Sequence, residues 1–344
     1  MERENNRLSF VDIAKGICIL MVVLGHIVSK EQGIHPYIYT MHIPTFILLS
    51  GFFEKKREKY LPYLKKIFKR LYLPFLCFVV IDFIAVMIIH KVTILYFLHH
   101  CFLAAVGLEC VYDVPIWFLI DLFIVKAVFQ LFHRIKNAKV LKVILIVAVV
   151  IGITYMYFFD YFELMNRNWA LFALVPMLAY YCLGFILKDL IKYIANVFSG
   201  EKIIDKLFLT VIMIMCFGIL IPISQINGDV SFFGCNFNNA FLFLINSLLG
   251  AFAIIILSCI LSSFTKIKFK GIQFLGKHSL FIQVTHYYLV DYVIFAFFDK
   301  RDKLDLYYSP GVEALVFLAV VGVCIIAIII KELLVKNVLS KIKK

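Results

Sequence analysis

The sequence predicts an all-α membrane protein, a polytopic bundle of about ten transmembrane helices with both termini cytoplasmic, built as one domain over residues 1–344. Three observations carry that expectation. Hydrophobic residues make up 63% of the chain against 17% charged, the mean hydropathy is +0.95, and apolar runs of roughly 18 to 22 residues recur, the length that takes a helix across ~30 Å of hydrocarbon. A soluble core needs far less apolar side chain.

The first run, Leu8–Val28, is long and lacks a small-residue cleavage site, so it is expected to stay in the mature protein. The second, Tyr37–Phe53, is short. Leu71–His90, Ile116–Phe132, Val140–Phe159, Trp169–Leu187, Leu207–Ser224, Phe241–Ser263, Ile272–Ile294 and Val312–Val335 complete the set of ten. Thr93–Val106 is apolar too, but at 14 residues it reads as a lid, a re-entrant piece or an interfacial helix.

Lys and Arg in the links alternate as the positive-inside rule requires. The 54–70 link holds eight, Arg134–Lys142, Lys188–Lys206 and Lys266–Lys277 four each, and the tail from Lys331 five. The intervening links hold Lys30, Lys91, Arg167, Lys300, Arg301 and Lys303, the last three interleaved with Asp299, Asp302 and Asp305. The net charge of +13 is therefore mostly a topology signal, and no basic and aromatic stretch outside the membrane points to nucleic acid. The nine cysteines include no C-x-x-C pair and lie mostly within apolar runs as small buried hydrophobes, while Cys101, Cys110 and Cys235 fall outside, where a pairing is open but not expected. No repeat, linker or soluble accessory domain is apparent.

Ionisable groups at bilayer depth are functional candidates because their desolvation must be compensated. Lys15 and His26 are eleven residues apart in the first run, which turns a helix through about 1,100° and returns to within ~20° of the same face, ~16.5 Å further along. One stripe thus carries a cation towards the inside and an imidazole towards the outside. At ~1.5 Å per residue, His286, His42, Trp117 and Asp121 reach the same outer level as His26, so five groups from four spans are expected to line one outward-opening cavity.

A second set gathers at the inner side. Ser50-Gly51 ends the second run, Lys15 can snorkel inwards, and Lys65, Lys66, Lys69 and Arg70 precede Pro74. Several cations and helix-end donors together suit an anion such as phosphate. The plainer reading of the 54–70 run is a topology anchor that also attracts anionic lipid.

These residues, taken in order, resemble the integral-membrane acyltransferase-3 family, and within it the fucose 4-O-acetylase-like, surface-polysaccharide O-acetyltransferase branch. The resemblance spans most of the chain. It rests on Phe10-Val-Asp-Ile-Ala-Lys-Gly with Val23-Leu-Gly-His26, Met41-His-Ile-Pro-Thr-Phe with Leu49-Ser-Gly-Phe52, Lys69-Arg-Leu-Tyr-Leu-Pro74, Ile116-Trp-Phe-Leu119, the run to Leu183-Gly184, and Leu275-Gly-Lys-His-Ser-Leu280 with His286. It implies an O-acyltransferase that moves an acyl group, usually acetyl from acetyl-CoA, onto a hydroxyl of a cell-surface sugar or lipid-linked glycan precursor. The implied setting is the plasma membrane of a bacterial cell, with no permanently bound cofactor and with a second copy or a glycan-assembly complex as candidate protein partners.

The family's pattern of a basic residue, ten residues and a histidine falls on Lys15 and His26, and its paired basic motif falls loosely on Lys66, Lys69 and Arg70. Lys stands at the first position where the family often has Arg, which argues against bidentate phosphate contact there. In the mechanism this implies, His26 is the general base, since an imidazole's ordinary pKa lies near working pH. Lys15, Ser50, Gly51, Lys66, Lys69 and Arg70 hold the nucleotide end of acyl-CoA. Asp12, three residues before Lys15, is expected to pair with it, and His42, Trp117, Asp121 and His286 bind the acceptor or orient His26.

Other patterns carry less. His286 and Asp291 match the H-x4-D of glycerolipid acyltransferases, but five residues on a helix point about 140° apart. Asp121 and Lys126 share that spacing and are expected to pair with other helices. No two histidines stand at H-x3-H spacing on one helix, so no metal site is expected. The competing function is a transporter or flippase for a glycan or its precursor, which also places Asp, Lys and His at depth. Against it stand the inner cation cluster and the lack of a duplicated half. A third reading makes the chain a structural partner in polysaccharide assembly.

Overall fold

The computed structural model describes residues 2–28, 33–56, 59–91, 93–107, 115–159, 170–264, 269–297 and 309–342. Lys30, Cys110, Arg167, Trp169, Lys266 and the charged residues from Asp299 to Asp305 lie outside them, as does the side chain of Asp291. Among the described residues the chain is helical apart from turns and an isolated antiparallel bridge between Ser231 and Asn236.

The helices are α1 (Glu2–Gly25), α2 (His35–Phe52), α3 (Tyr60–Ile67), α4 (Leu73–His90), α5 (Ile94–Ala105), α6 (Trp117–Phe132), α7 (Ala138–Phe158), α8 (Leu174–Ile186), α9 (Lys188–Ser199), α10 (Ile203–Asn227), α11 (Ala240–Ser263), α12 (Lys270–Lys277), α13 (Ser279–Phe297) and α14 (Pro310–Ile342). A π-helical turn, Phe68–Tyr72, joins α3 to α4.

By length and composition, α7, α10, α11 and the Pro310–Lys336 part of α14 can cross a membrane, and α8 with α9, bent by 54°, forms a broken fifth candidate. Two of the other expected spans are shorter or more polar. The α6 helix has 16 residues, and α2 carries His35, Thr40, His42, Pro44 and Thr45, all buried. Hydrocarbon cannot hydrate such groups, and apart from His35, which pairs with Asp229, α2 satisfies them within itself. Thr40 donates to the Pro36 carbonyl at 2.7 Å, His42 Nδ1 to Ile38 at 2.5 Å, Thr45 to Met41 at 2.7 Å and Ser50 to Phe46 at 2.9 Å.

The 12-residue α5 is too short to span, as the sequence suggested. Helix α9 falls where a cation-bearing link was expected; it buries Ile191, Ile194, Ala195 and Phe198, while Lys192 pairs with Asp189 on the opposite face at 2.8 Å. Among the described residues, Cys101 and Cys235 form no disulfide with each other.

Helices α1 and α2 form the centre, packing on each other and on α8, α11 and α12. Small residues bring the backbones close, the usual device where water cannot drive helix association. A Cβ on Gly51 would collide with the Tyr181 carbonyl of α8, and one on Gly184 with the Leu48 carbonyl of α2. The same holds between α1 and α12, where Gly16 meets the Ile272 carbonyl and Gly276 that of Asp12. Apolar side chains left exposed on α7, such as Val143, Val147 and Val150, are suited to face lipid.

Gly184→Ala is expected to cost about 1–3 kcal/mol by overpacking, read as a lower melting temperature of the detergent-solubilised protein. Gly218→Ala, where nothing lies within 4 Å of the added Cβ, should leave it unchanged or slightly raised.

Candidate active site

A cavity of about 490 Å³ enters the bundle from its cation-rich end. Lys15, Lys55, Lys66, Arg70 and Lys126 line it against one acid, Glu54. Such an excess of positive charge suits a polyanion. Lys66 and Arg70 reach it from the last turn of α3 and the π-turn, a local widening that often marks functional sites. Lys15 stands with its ammonium 5.7 Å from the centre of the Phe53 ring.

Glu54 is 2% exposed and is held from three sides. Lys126 approaches Oε2 at 3.0 Å, Tyr181 donates to Oε2, Gln130 to Oε1, and Tyr63 to Oε2 at 3.4 Å. Gln130 and Lys188 also close on the carbonyls of Lys55 and Glu54, at 2.8 and 3.0 Å. Burial alone would push this carboxyl up, but the Lys126 ammonium and the hydroxyl and amide donors hold it below the usual carboxylate range. It is therefore ionised at neutral pH.

Four helices build the cavity wall on the same plan. On α1 the order is Lys15, Val22, then His26; on α2, read backwards, Ser50, Phe46, then His42; on α6, Lys126, Leu122, then Phe118; on α13, Ser279, Gln283, then His286. The spacings of three, four and seven keep each set on one stripe. The lining ends at Val22, Ile43, Phe46, Phe118 and Gln283. His26 and His286 lie about one turn, ~5 Å, beyond it along their own chains, and His42 one residue past Ile43. Gln283 ties this level together by donating to the Pro115 carbonyl, just before α6, at 3.1 Å.

Past that level the imidazoles gather. The His26 ring is 5.1 Å from His286, 5.4 Å from Tyr287 and 6.4 Å from Tyr39, centre to centre, and Tyr39 is 5.2 Å from His42. The Nδ1 of His42 faces the Ile38 carbonyl and that of His286 the Ile282 carbonyl, at 2.5 and 2.9 Å. A carbonyl only accepts, so Nδ1 carries the proton in both rings and Nε2 of the neutral ring keeps its lone pair. Nε2 of His286 is buried with no hydrogen-bond partner among the described residues.

Some expected site residues lie elsewhere. Trp117 stacks on Phe232 at 6.5 Å and 14° and packs on Phe233, so the loop after α10 covers the face it would offer a sugar. Asp121 is wholly buried and neither oxygen has a hydrogen-bond partner among the described residues; it orients no imidazole. Both stand one position, ~100°, round from the α6 stripe that faces the cavity.

Gly51 sits in the α2–α8 contact and Lys69 is exposed; neither lines the cavity. Asp12 forms no ion pair with Lys15 among the described residues. Three residues apart leaves them ~60° apart round the helix, with the Asp12 backbone against α12 and Lys15 towards Phe53, just after α2.

The sequence reading missed Glu54, Lys126 as its partner, and Tyr181. It also missed His35, which stacks on Tyr39 at 3.9 Å and pairs with Asp229 at 3.1 Å. An acid inside an eight-cation link and a lysine inside an apolar run were the available signals.

Because the folded-state pKa of Glu54 is lowered, its contribution to stability is present above the unfolded value of about 4.3 and is lost as pH falls through the folded one. Acid unfolding should show this loss in the wild type and lack it in Glu54→Gln. Glu54→Ala, which leaves Lys126 without its carboxylate but still with the Tyr181 hydroxyl, should cost about 3 kcal/mol at neutral pH.

No curated relative and no solved structure matches the chain. The family model described as an acyltransferase domain matches residues 8–331, from the first turns of α1 into α14. That span takes in both the cationic cavity and the imidazoles beyond it, and the chain belongs to the acyltransferase-3 family of membrane acyltransferases.

Proposed function

We propose that this acyltransferase transfers a short acyl group, acetyl first among them, from acyl-CoA to a hydroxyl of a cell-surface sugar or lipid-linked glycan precursor, in the fucose 4-O-acetylase-like manner. The single observation that carries the reading is the ordered wall shared by α1, α2, α6 and α13, with cations at one end of a cavity and imidazoles one turn past its other end. The phosphates of the donor rest on Lys15, Lys66 and Arg70, with Lys55 and Lys126 near, and Ser50 beside the entering arm. Lys15 and His26 stand ~16.5 Å apart along one helix, a span on the scale of an extended pantetheine arm.

His26 accepts the proton of the acceptor hydroxyl as its oxygen attacks the thioester carbonyl. The C–O bond forms, the C–S bond breaks, and the proton passes to the leaving thiolate. His286 and His42 orient His26 or the acceptor through their Nε2 atoms. The positive-inside pattern supports ten crossings, cytoplasmic termini and donor entry from the cytoplasm, with the protein in the plasma membrane of a bacterial cell.

Thiol release from acetyl-CoA by reconstituted protein, with and without a lysate of glycan precursors, tests this. Release stimulated by precursor should fall at least about 100-fold in His26→Ala, the lower range of what a general base supplies. Lys15→Ala should instead raise the donor KM about tenfold or more. Neither donor binding nor release from folded wild type, with acetyl and succinyl donors, would sink the reading in favour of a transporter.

A further inference from the structure

We infer that Phe118, in edge-to-face contact with Phe46, is the gauge that limits the length of the acyl chain this enzyme accepts. The inference rests on the donor reading above. Of the five lining residues at the deep end of the cavity, four are apolar and bulky: Val22, Ile43, Phe46 and Phe118. The rings of Phe46 and Phe118 meet at 6.3 Å and 61°, the T-shaped arrangement aromatic pairs favour. They come from different helices, α2 and α6, so their contact narrows the cavity between those helices.

A donor whose phosphates lie on the cations enters with its acyl group leading. That group meets this apolar level before its carbonyl comes within reach of an imidazole one turn on. An acetyl methyl needs little room there. Each further methylene must occupy space that the Phe118 ring already fills, and a close-packed apolar pocket rejects a misfit of that size by roughly 10- to 200-fold. Phe118 is the more informative of the two to change. It ends the α6 stripe, beyond Leu122 and Lys126, and packs against one core cluster, whereas Phe46 packs against two.

The experiment compares acetyl-, butyryl- and hexanoyl-CoA in precursor-stimulated thiol release by the full-length reconstituted protein. The readout is the ratio of kcat/KM for hexanoyl to that for acetyl. In Phe118→Ala the ratio should rise at least about tenfold over wild type, with butyryl rising less, and Phe118→Leu should fall between; Leu keeps the site filled should Ala fail to fold. An unchanged ratio in variants that still transfer acetyl overturns the gauge and leaves the donor reading standing. Wild type that already takes hexanoyl as well as acetyl does the same. No release from wild type with any donor overturns both.

Discussion

A carboxylate that is 2% exposed at the end of an apolar helix has to find counter-charge and donors in the protein, and Glu54 takes them from three other elements. Lys126 and Gln130 come from α6, Tyr181 from α8, and Tyr63 from α3. The ion pair therefore fixes how α2 sits against α6 and α8 at the cation-rich end. It also decides the charge of the mouth, since Glu54 neutralises the cation deepest along α6 and leaves Lys15, Lys66 and Arg70 to face the opening. Buried pairs of this kind are costly to break rather than cheap to make. Their value is geometric, and here the geometry is that of a cavity wall.

The same logic runs up α2. Thr40, His42, Thr45 and Ser50 each bond to the carbonyl one turn before them, so a helix with a heavy polar load still closes its own hydrogen bonds. For His42, and for His286 on α13, that local bond has a chemical result. It places the proton on Nδ1 and turns a lone pair outward from the helix. Tyr39 stands among the rings, its hydroxyl donating to the Gly25 carbonyl next to His26 at 3.3 Å, and His35 continues the stack towards Asp229, which is partly exposed. The imidazoles are thus held by a frame of aromatic contacts.

Much of this was legible because depth follows from counting. The rise per residue puts His26, His42 and His286 at one level, and the structure gathers their rings there. Azimuth is another matter. Trp117 and Asp121 reach the same level, yet α6 presents Phe118, Leu122 and Lys126 to the cavity, one residue round. Which face of a helix meets a cavity is set by its neighbours, and no neighbour is visible in a single chain read end to end. Lys69 against Lys66 and Arg70 repeats the lesson. The expected Asp12–Lys15 pair is not made as a close contact for a related reason: i,i+3 spacing permits one, but the Lys15 ammonium stands over the Phe53 ring instead. Gly51 and Gly184, read from motifs, turn out to be where α2 and α8 touch. Close approach of backbones leaves a glycine in the sequence without naming its partner.

The cavity ends about a turn short of His26 and His286, and that interval has a physical meaning for a membrane enzyme. On the proposed reading, a donor held at the cationic end and an acceptor held near the histidines stand on either side of this apolar level. A continuous polar path between those ends would let protons and small ions cross the bilayer whenever the site stood empty. An apolar constriction prevents this by excluding water, as hydrophobic gates do in channels. Val22, Ile43, Phe46 and Phe118 have the chemistry for such a seal, and Gln283 at the same level spends one of its donors on the Pro115 carbonyl. The element that would measure the acyl chain is then also the element that keeps the two ends apart, and widening it for longer chains would come at the expense of that separation.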